Sequence, residues 1–234
     1  METRKIKTWR NPFGEGFSIC RRREIELKSG VTILVGCNGA GKTTMLKNIQ
    51  ESLKKDNIPF LNFDNLHDGG SNSLQEAFAE NNFSFISQAW NSSEGENISL
   101  NIGKMASILQ HFIITGKSLR RRDRLVEAFR EINNDKEDEQ ISNERWILLD
   151  AIDSGYSIDN VIDLKEFFDT ILEDAQKYNV DVYIVASANE YELAANMECF
   201  DVMGGKYINF KNYEDYKKYI INTRAKKEKR YNKD

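Results

Sequence analysis

Residues 36–43 decide the fold of this chain: they read Gly36-Cys37-Asn38-Gly39-Ala40-Gly41-Lys42-Thr43, and Thr44 follows. The stretch matches the G-x-x-x-x-G-K-[ST] pattern of a phosphate-binding loop. The β-branched run Val31–Val35 before it predicts a buried strand, and apolar residues between Met45 and Leu53 recur at helical spacing after it. A glycine-rich loop between a strand and a helix suits an anion, because backbone N–H groups and the helix dipole then point at one spot.

Two side chains of this loop have predicted roles of their own. Lys42 is expected to reach the β- and γ-phosphates of a nucleotide, and the Thr43 hydroxyl is expected to bind Mg²⁺. The alternative interpretation is a glycine-rich turn that only caps a helix. Since the pattern stands directly between a predicted strand and a predicted helix, the sequence favours the phosphate-binding loop.

The composition excludes several classes of protein. The chain has 234 residues, 40% hydrophobic and 30% charged, which suits one domain with a substantial core and a hydrated surface. Its apolar runs fall far short of the roughly 20 residues of a membrane-spanning helix, and the N-terminus lacks a signal-peptide core. Three cysteines without C-x-x-C spacing and two histidines argue against a disulfide framework and a zinc site. We therefore expect a cytoplasmic protein with no membrane partner.

Strands and helices alternate along the rest of the chain. Further strands are predicted at Phe17–Leu27, Pro59–Asp64, Arg145–Asp150 and Val182–Ala186, and short strands or a hairpin around Gly204-Gly205. Helices are predicted at Asn97–Phe112, Val161–Ala175, Asn189–Met197 and Tyr213–Lys229. This alternation predicts an α/β fold, in which a mostly parallel sheet is flanked by helices and the N-terminal part of the sheet is mixed.

The chain reads as a single domain over residues 1–234. Charged residues dominate 117–145, which predicts an exposed and mobile insertion, and 213–234 is expected to form a C-terminal helix and a basic tail. Within the insertion, the run Arg120–Arg124 is either a solvated surface or a contact with nucleic acid.

Three motifs together resemble ABC-type ATPases. The Asn38-Gly39 pair and the double threonine Thr43-Thr44 make the phosphate loop similar to the Walker A motif of the soluble branch that contains the structural-maintenance-of-chromosomes and RecF families. Ser92–Glu96 resembles the signature motif. Ile147–Asp150, followed by Asp153-Ser154-Gly155, resembles a Walker B strand with its D-loop. The resemblance implies a P-loop fold of ABC-ATPase type, and small stand-alone proteins of this appearance also resemble ATP-binding proteins of phage and mobile elements.

The resemblance implies a nucleotide site and a second subunit. ATP would bind on Gly36–Thr44 with Mg²⁺, and the metal would be held by Thr43 and, through water, by Asp150. Ser93 and Gly95 would face the γ-phosphate of ATP on a second copy, so ATP would drive formation of a homodimer that acts as a switch. Plain structural interpretations stand beside these: Asp150 as a surface carboxylate, and Ser93 and Gly95 as an ordinary helix N-cap.

Further nucleotide contacts are implied by the same family. Arg10 and Asn11 lie where the soluble branch contacts nucleotide, and Gln88 would fill the glutamine-loop role, for which His67 is an alternative. The aromatic residue that stacks on adenine stays open among Trp9, Phe13 and Phe17.

Two positions depart from the family's pattern. Ala151 follows Asp150, where ABC-type enzymes carry the glutamate that orients the attacking water, and Asn189 occupies the position of the switch histidine. Asparagine hydrogen-bonds a phosphate but takes up no proton at neutral pH. Asp153 is the candidate replacement for the glutamate. The sequence therefore predicts slow ATP hydrolysis, and the alternative is an ATP-sensing module without meaningful turnover that recruits DNA or a partner protein.

Overall fold

The computed structural model describes residues 2–10, 18–64, 106–119, 142–154 and 156–231. The strands in these ranges are β1 (Thr3–Lys7), β2 (Glu24–Lys28), β3 (Gly30–Val35), β4 (Phe60–Asp64), β5 (Glu144–Asp150), β6 (Asp181–Ser187), β7 (Cys199–Asp201) and β8 (Lys206–Ile208). The helices there are α1 (Lys42–Lys55), α2 (residues 106–115), α3 (Ile158–Lys177), α4 (Tyr191–Ala194) and α5 (Tyr213–Tyr231). Strands and helices alternate, as the sequence predicts.

The parallel strands of the main sheet all terminate at the same end of the sheet. Within the described residues it has six strands in the order β4-β5-β6-β3-β7-β8, parallel from β4 through β7, with β8 antiparallel to β7. β1 and β2 form a separate antiparallel sheet. Open α/β sheets bind ligands beyond the carboxyl ends of their parallel strands. In this sheet the strands end there at Val35, Asp150, Ser187 and Asp201.

Apolar side chains cover both faces of the main sheet. Successive residues of a strand point to opposite faces. Ile33 therefore belongs to a buried cluster with residues of α2, α3 and α5, whereas Leu34 belongs to a second cluster with residues of α1, β1 and β2. In the second cluster the rings of Trp146 and Tyr183 are stacked with their centroids 4.2 Å apart. The two layers cover β3, β5 and β6 on both faces, and the predicted phosphate-binding loop follows the end of β3.

Two of the helices packed on the sheet form where apolar residues recur at helical spacing. The buried positions of α3 include Val161, Leu164, Phe168, Ile171 and Ala175, all of which the sequence predicts. Its N-cap residue Ser157 accepts the Asn160 N–H through its hydroxyl at 3.3 Å. The buried apolar positions of α1 are Met45, Leu46, Ile49 and Leu53, again as predicted.

Two elements are shorter in the structure than the sequence predicts. The strand predicted at Phe17–Leu27 is present only as β2, because residues 18–23 bend and their three arginines are exposed. The helix predicted at Asn189–Met197 is the four-residue α4. It stops there because the chain turns back toward β7, with Asn196 in a left-handed conformation at φ 59°.

The predicted insertion at 117–145 falls mostly outside the described residues. β5 begins at Glu144, so regular structure returns inside the predicted boundary. The hairpin predicted around Gly204-Gly205 is confirmed by β7 and β8. Among the described residues no helix is both long and apolar enough to cross a membrane.

Candidate functional site

The predicted phosphate-binding loop connects β3 to α1. Gly39 and Gly41 have φ angles of 74° and 101°, which glycine adopts without the strain that a Cβ atom would add. Ala40 N–H donates to Cys37 O at 2.9 Å, and Met45 N–H donates to Gly41 O at 2.8 Å as α1 begins. No described side chain caps this helix N-terminus, and its first turn has no acidic residue. Its N–H groups can therefore bind an anion.

The loop has a buried base and an exposed tip. Gly36, Cys37 and Ala40 are buried, and a Cβ atom on Gly36 would lie only 2.8 Å from Ala40 Cβ. This close approach explains why glycine stands at position 36. Asn38 and Gly39 form the exposed tip.

Lys42 lies inside the loop. Its Nζ donates to Gly36 O at 3.0 Å, so the side chain folds back over the loop that precedes it. Burial lowers the pKa of Lys42, and the nearby carboxylates of Asp153 and Asp150 oppose that shift. A cation that is already partly desolvated and held by one carbonyl oxygen is well placed to exchange that oxygen for a phosphate oxygen.

Asp150 ends β5 beside the loop and is tied to the neighbouring strand. Ser187, at the end of β6, donates its hydroxyl to Asp150 Oδ1 at 2.7 Å. The same hydroxyl accepts the Ala151 N–H at 2.8 Å. Ser187 therefore fixes the orientation of the predicted metal ligand. Sequence analysis missed this residue, and the signal available was a hydroxyl side chain directly after the apolar strand Val182–Ala186.

Thr43 and Asp150 are the residues that would hold Mg²⁺ at this site. Thr43 is exposed in the first turn of α1, whereas Thr44 is half-buried. Within the described residues no group of three or more His, Cys, Asp or Glu side chains forms a dedicated metal cage. Mg²⁺ does not need one, because it commonly binds through one or two carboxylates, waters and the phosphates of its nucleotide.

Asp153 is buried and engaged in hydrogen bonds. Its Oδ2 accepts the N–H groups of Asn189 and Glu190 at 2.7 and 2.8 Å, and its Oδ1 lies 3.4 Å from Asn189 Nδ2. Burial raises the pKa of Asp153, while these N–H groups and Lys42 oppose the shift. These contacts give Asp153 a structural function: it joins the segment after β5 to the segment after β6.

Asn189 lies on the exposed side of this junction. Its side-chain amide donates to Ser154 Oγ at 3.0 Å, and its backbone carbonyl oxygen accepts the Tyr216 hydroxyl at 3.4 Å. The structure thus joins Asp153 to Asn189, two of the three residues that the sequence predicts as catalytic, while the third, Asp150, is hydrogen-bonded to Ser187.

Ala151 has an unusual backbone. Its φ angle is 50°, in the left-handed region that residues with a side chain rarely occupy. This is the position at which the family pattern would have glutamate. The turn is stabilised by the hydrogen bond from Ala151 N–H to Ser187 Oγ and by a bond from Ser154 N–H to Ala151 O at 3.1 Å.

The remaining predicted contacts are only partly described. Arg10 is exposed and donates to Cys20 O at 3.2 Å. Trp9 packs against the cluster that includes α1, and its backbone N–H donates to Asn48 Oδ1 at 2.8 Å, which indicates a structural position. The other predicted residues, namely Asn11, Phe13, Phe17, His67, Gln88, Ser93, Gly95 and Arg120–Arg124, lie outside the described residues.

No family model and no curated protein matches this chain. Among solved structures it is similar to the crystal structure of the ADP conformation of an ATP-binding cassette of an ABC transporter. The likeness covers 95% of this chain and 98% of that chain, at 15% sequence identity and a TM-score of 0.43. Values this low assign no function, so function rests on the residues of the site.

Proposed function

We propose that this chain binds ATP with Mg²⁺ on residues 36–44 and hydrolyses it slowly, as an ATPase of ABC type from the soluble branch that its motifs resemble. The observation that carries the proposal is the position of Lys42: its Nζ is 3.0 Å from Gly36 O, at a helix N-terminus that no described side chain caps. A glycine-rich loop, an uncapped helix dipole and a lysine at one point together suit a triphosphate.

Each residue of the site has a definite task in this proposal. The loop N–H groups and Lys42 bind the phosphates, while Thr43 and Asp150 hold Mg²⁺, which neutralises charge on the β- and γ-phosphates when bound. Ser187 keeps Asp150 in place through its 2.7 Å hydrogen bond.

The proposed rate is low because, among the described residues that follow Asp150 at the end of β5, none offers a free base. Ala151 offers no carboxylate, and the oxygens of Asp153 face the amide groups of residues 189 and 190. Orientation of water by a general base contributes typically 10²–10⁴-fold. Slow turnover suits a switch, in which Ser93 and Gly95 of one copy face residues 36–44 of another while ATP is bound.

The lack of a free base among the described residues after Asp150 also favours a second candidate function. With Asp153 engaged and alanine at position 151, the chain would bind ATP without meaningful turnover and act as an ATP sensor. In that case the insertion with Arg120–Arg124 recruits DNA or a partner protein.

Calorimetric titration with Mg·ATP tests the binding that both candidates share. Lys42→Ala should weaken binding at least tenfold, because it removes the cation nearest the phosphates. Lys47→Ala, on the exposed side of the same helix, is the matched control and should bind like the wild type. Equal affinity of Lys42→Ala and Lys47→Ala would contradict the proposed site.

Two further measurements separate the candidates. Phosphate release by the wild type with ATP alone supports the slow ATPase, and its absence in a protein that binds ATP supports the sensor. Light scattering with ATP, ADP and no nucleotide tests the homodimer. We expect a dimer with ATP only, and its loss in Ser93→Arg; a monomer under all conditions would remove the dimer from the proposal.

A further inference from the structure

The C-terminal helix α5 contacts the phosphate-binding loop through a stripe of side chains spaced four residues apart. Tyr219, Thr223 and Lys227 lie on one face of the helix, since residues four apart stack along a helix surface. Their partners are consecutive parts of the strand end and loop, from Val35 to Gly39. A single helix face therefore follows the whole first half of the loop.

The first two members of the stripe fix the base of the loop. The Tyr219 hydroxyl lies 3.0 Å from Val35 O and 2.9 Å from Asp201 Oδ1, and burial raises its pKa. Thr223 is 1% exposed, and its Oγ1 accepts the Cys37 N–H at 3.3 Å. Ile220 packs beside them against Cys37, so the helix is anchored at the loop by both polar and apolar contacts.

The third member brings a positive charge to the exposed tip of the loop. Lys227 Nζ donates to Asn38 O at 2.9 Å. A Cβ atom on Gly39 would lie 2.8 Å from the same Nζ, so the absence of a side chain at position 39 allows this approach. Lys42 and Lys227 thus hold two carbonyl oxygens of one loop in the same way, one at its base and one at its tip.

We propose that Lys227 is a positioning residue for the nucleotide, which supplies a second cation at the phosphate-binding loop and holds the loop tip through Asn38 O. This inference rests on the proposed function, because it assumes that the loop binds a nucleoside triphosphate. A triphosphate with Mg²⁺ keeps a net negative charge. The ammonium group of Lys227, which is held at the loop, therefore attracts the bound nucleotide. Nucleotide binding is thereby coupled to the C-terminal helix, whose outer end carries this lysine.

Binding of ATP, ADP and adenosine to three variants tests the proposal. Lys227→Met removes the charge and the hydrogen bond, and Lys227→Arg retains a cation. Lys226→Met removes the neighbouring exposed lysine and is the matched control. We expect Lys227→Met to weaken ATP binding about fivefold, ADP less, and adenosine not at all, with recovery in Lys227→Arg and no change in Lys226→Met. The fivefold difference should shrink at high salt.

The results for these variants separate the role of Lys227 from ATP binding by the loop itself. If Lys42→Ala loses ATP while Lys227→Met binds ATP like the wild type, the role of Lys227 is overturned and the proposed function stands. If the wild type itself binds no ATP, both fall. Equal losses for ATP and adenosine, or a lower free energy of unfolding without nucleotide and unchanged ATP affinity, would show that Lys227 only stabilises the fold.

Discussion

Substitution of Asp153 decides whether this carboxylate holds the site together or takes part in hydrolysis. Its Oδ2 accepts the N–H groups of Asn189 and Glu190 at 2.7 and 2.8 Å, and only 1% of the residue is exposed. Alanine at this position would leave both N–H groups without their acceptor. Asparagine would keep one oxygen that can accept both bonds and would remove the charge.

The two substitutions should therefore differ in size of effect. A hydrogen bond to a charged group contributes about 1.5–3 kcal/mol. Because residues 189 and 190 are exposed and water replaces part of the loss, Asp153→Ala should lower the free energy of unfolding by about 2–4 kcal/mol. In a chain of this length that loss lowers Tm by roughly 5–15 °C. Asp153→Asn should lose less than about 1 kcal/mol.

The pH dependence of stability gives an independent check. Burial raises the folded-state pKa of Asp153 above its unfolded value of about 4. Its contribution to stability is therefore complete below the unfolded pKa and is lost as pH rises through the folded pKa. Asp153→Asn removes this titration, so urea unfolding measured from pH 4 upward should show a smaller loss of stability with rising pH than in the wild type.

Urea unfolding and phosphate release on the same preparations complete the test. We expect the rate of phosphate release per folded molecule to stay within about twofold of wild type in Asp153→Asn, as a structural carboxylate requires. A stability loss below about 1 kcal/mol in Asp153→Ala, together with at least tenfold slower phosphate release in Asp153→Asn, would refute the structural assignment and make Asp153 the general base.

Two further predictions concern backbone conformation. Gly41→Ala and Gly30→Ala place a Cβ atom at φ 101° and 102°, so each should lower the free energy of unfolding by about 1–3 kcal/mol. Only Gly41→Ala should also weaken ATP binding, by at least tenfold in calorimetry. Equal ATP affinities of the two variants would contradict the site. Ala151→Gly should raise the free energy of unfolding in urea by up to about 1 kcal/mol, because it relieves the left-handed φ of 50°, and a loss of stability would show that the alanine methyl group is needed there.

Local sequence patterns predict much of this fold. β3, the loop and α1 follow from a β-branched run, glycines and helical spacing between residues 30 and 55, and α3 follows from one apolar stripe. Where an apolar pattern covers only a few residues, it predicts an element that is longer than the one in the structure. The apolar spacing in Asn189–Met197 fits a helix as well as it fits a turn back to β7, and tertiary contacts decide for the turn.

The candidate site could be predicted only where its residues belong to a motif. Lys42 and Asp150 follow from the loop pattern and the strand end. The contacts of Ser187, Thr223 and Lys227 could not be found in this way, because their partners are 36 to 189 positions away in the chain. Such contacts depend on strand order and on where the last helix packs, and neither is encoded in a local pattern.

Backbone amide chemical shifts during a titration with Mg·ATP test most directly whether residues 36–44 bind the nucleotide. We expect large changes at Gly39, Gly41 and Lys42, because their N–H groups line the proposed phosphate site. Gly30 is the internal control, since it begins β3 and lies roughly 20 Å from the loop at the opposite edge of the sheet. Unchanged loop amides at saturating ATP, or changes at Gly30 as large as those at Gly41, would contradict a nucleotide site on residues 36–44.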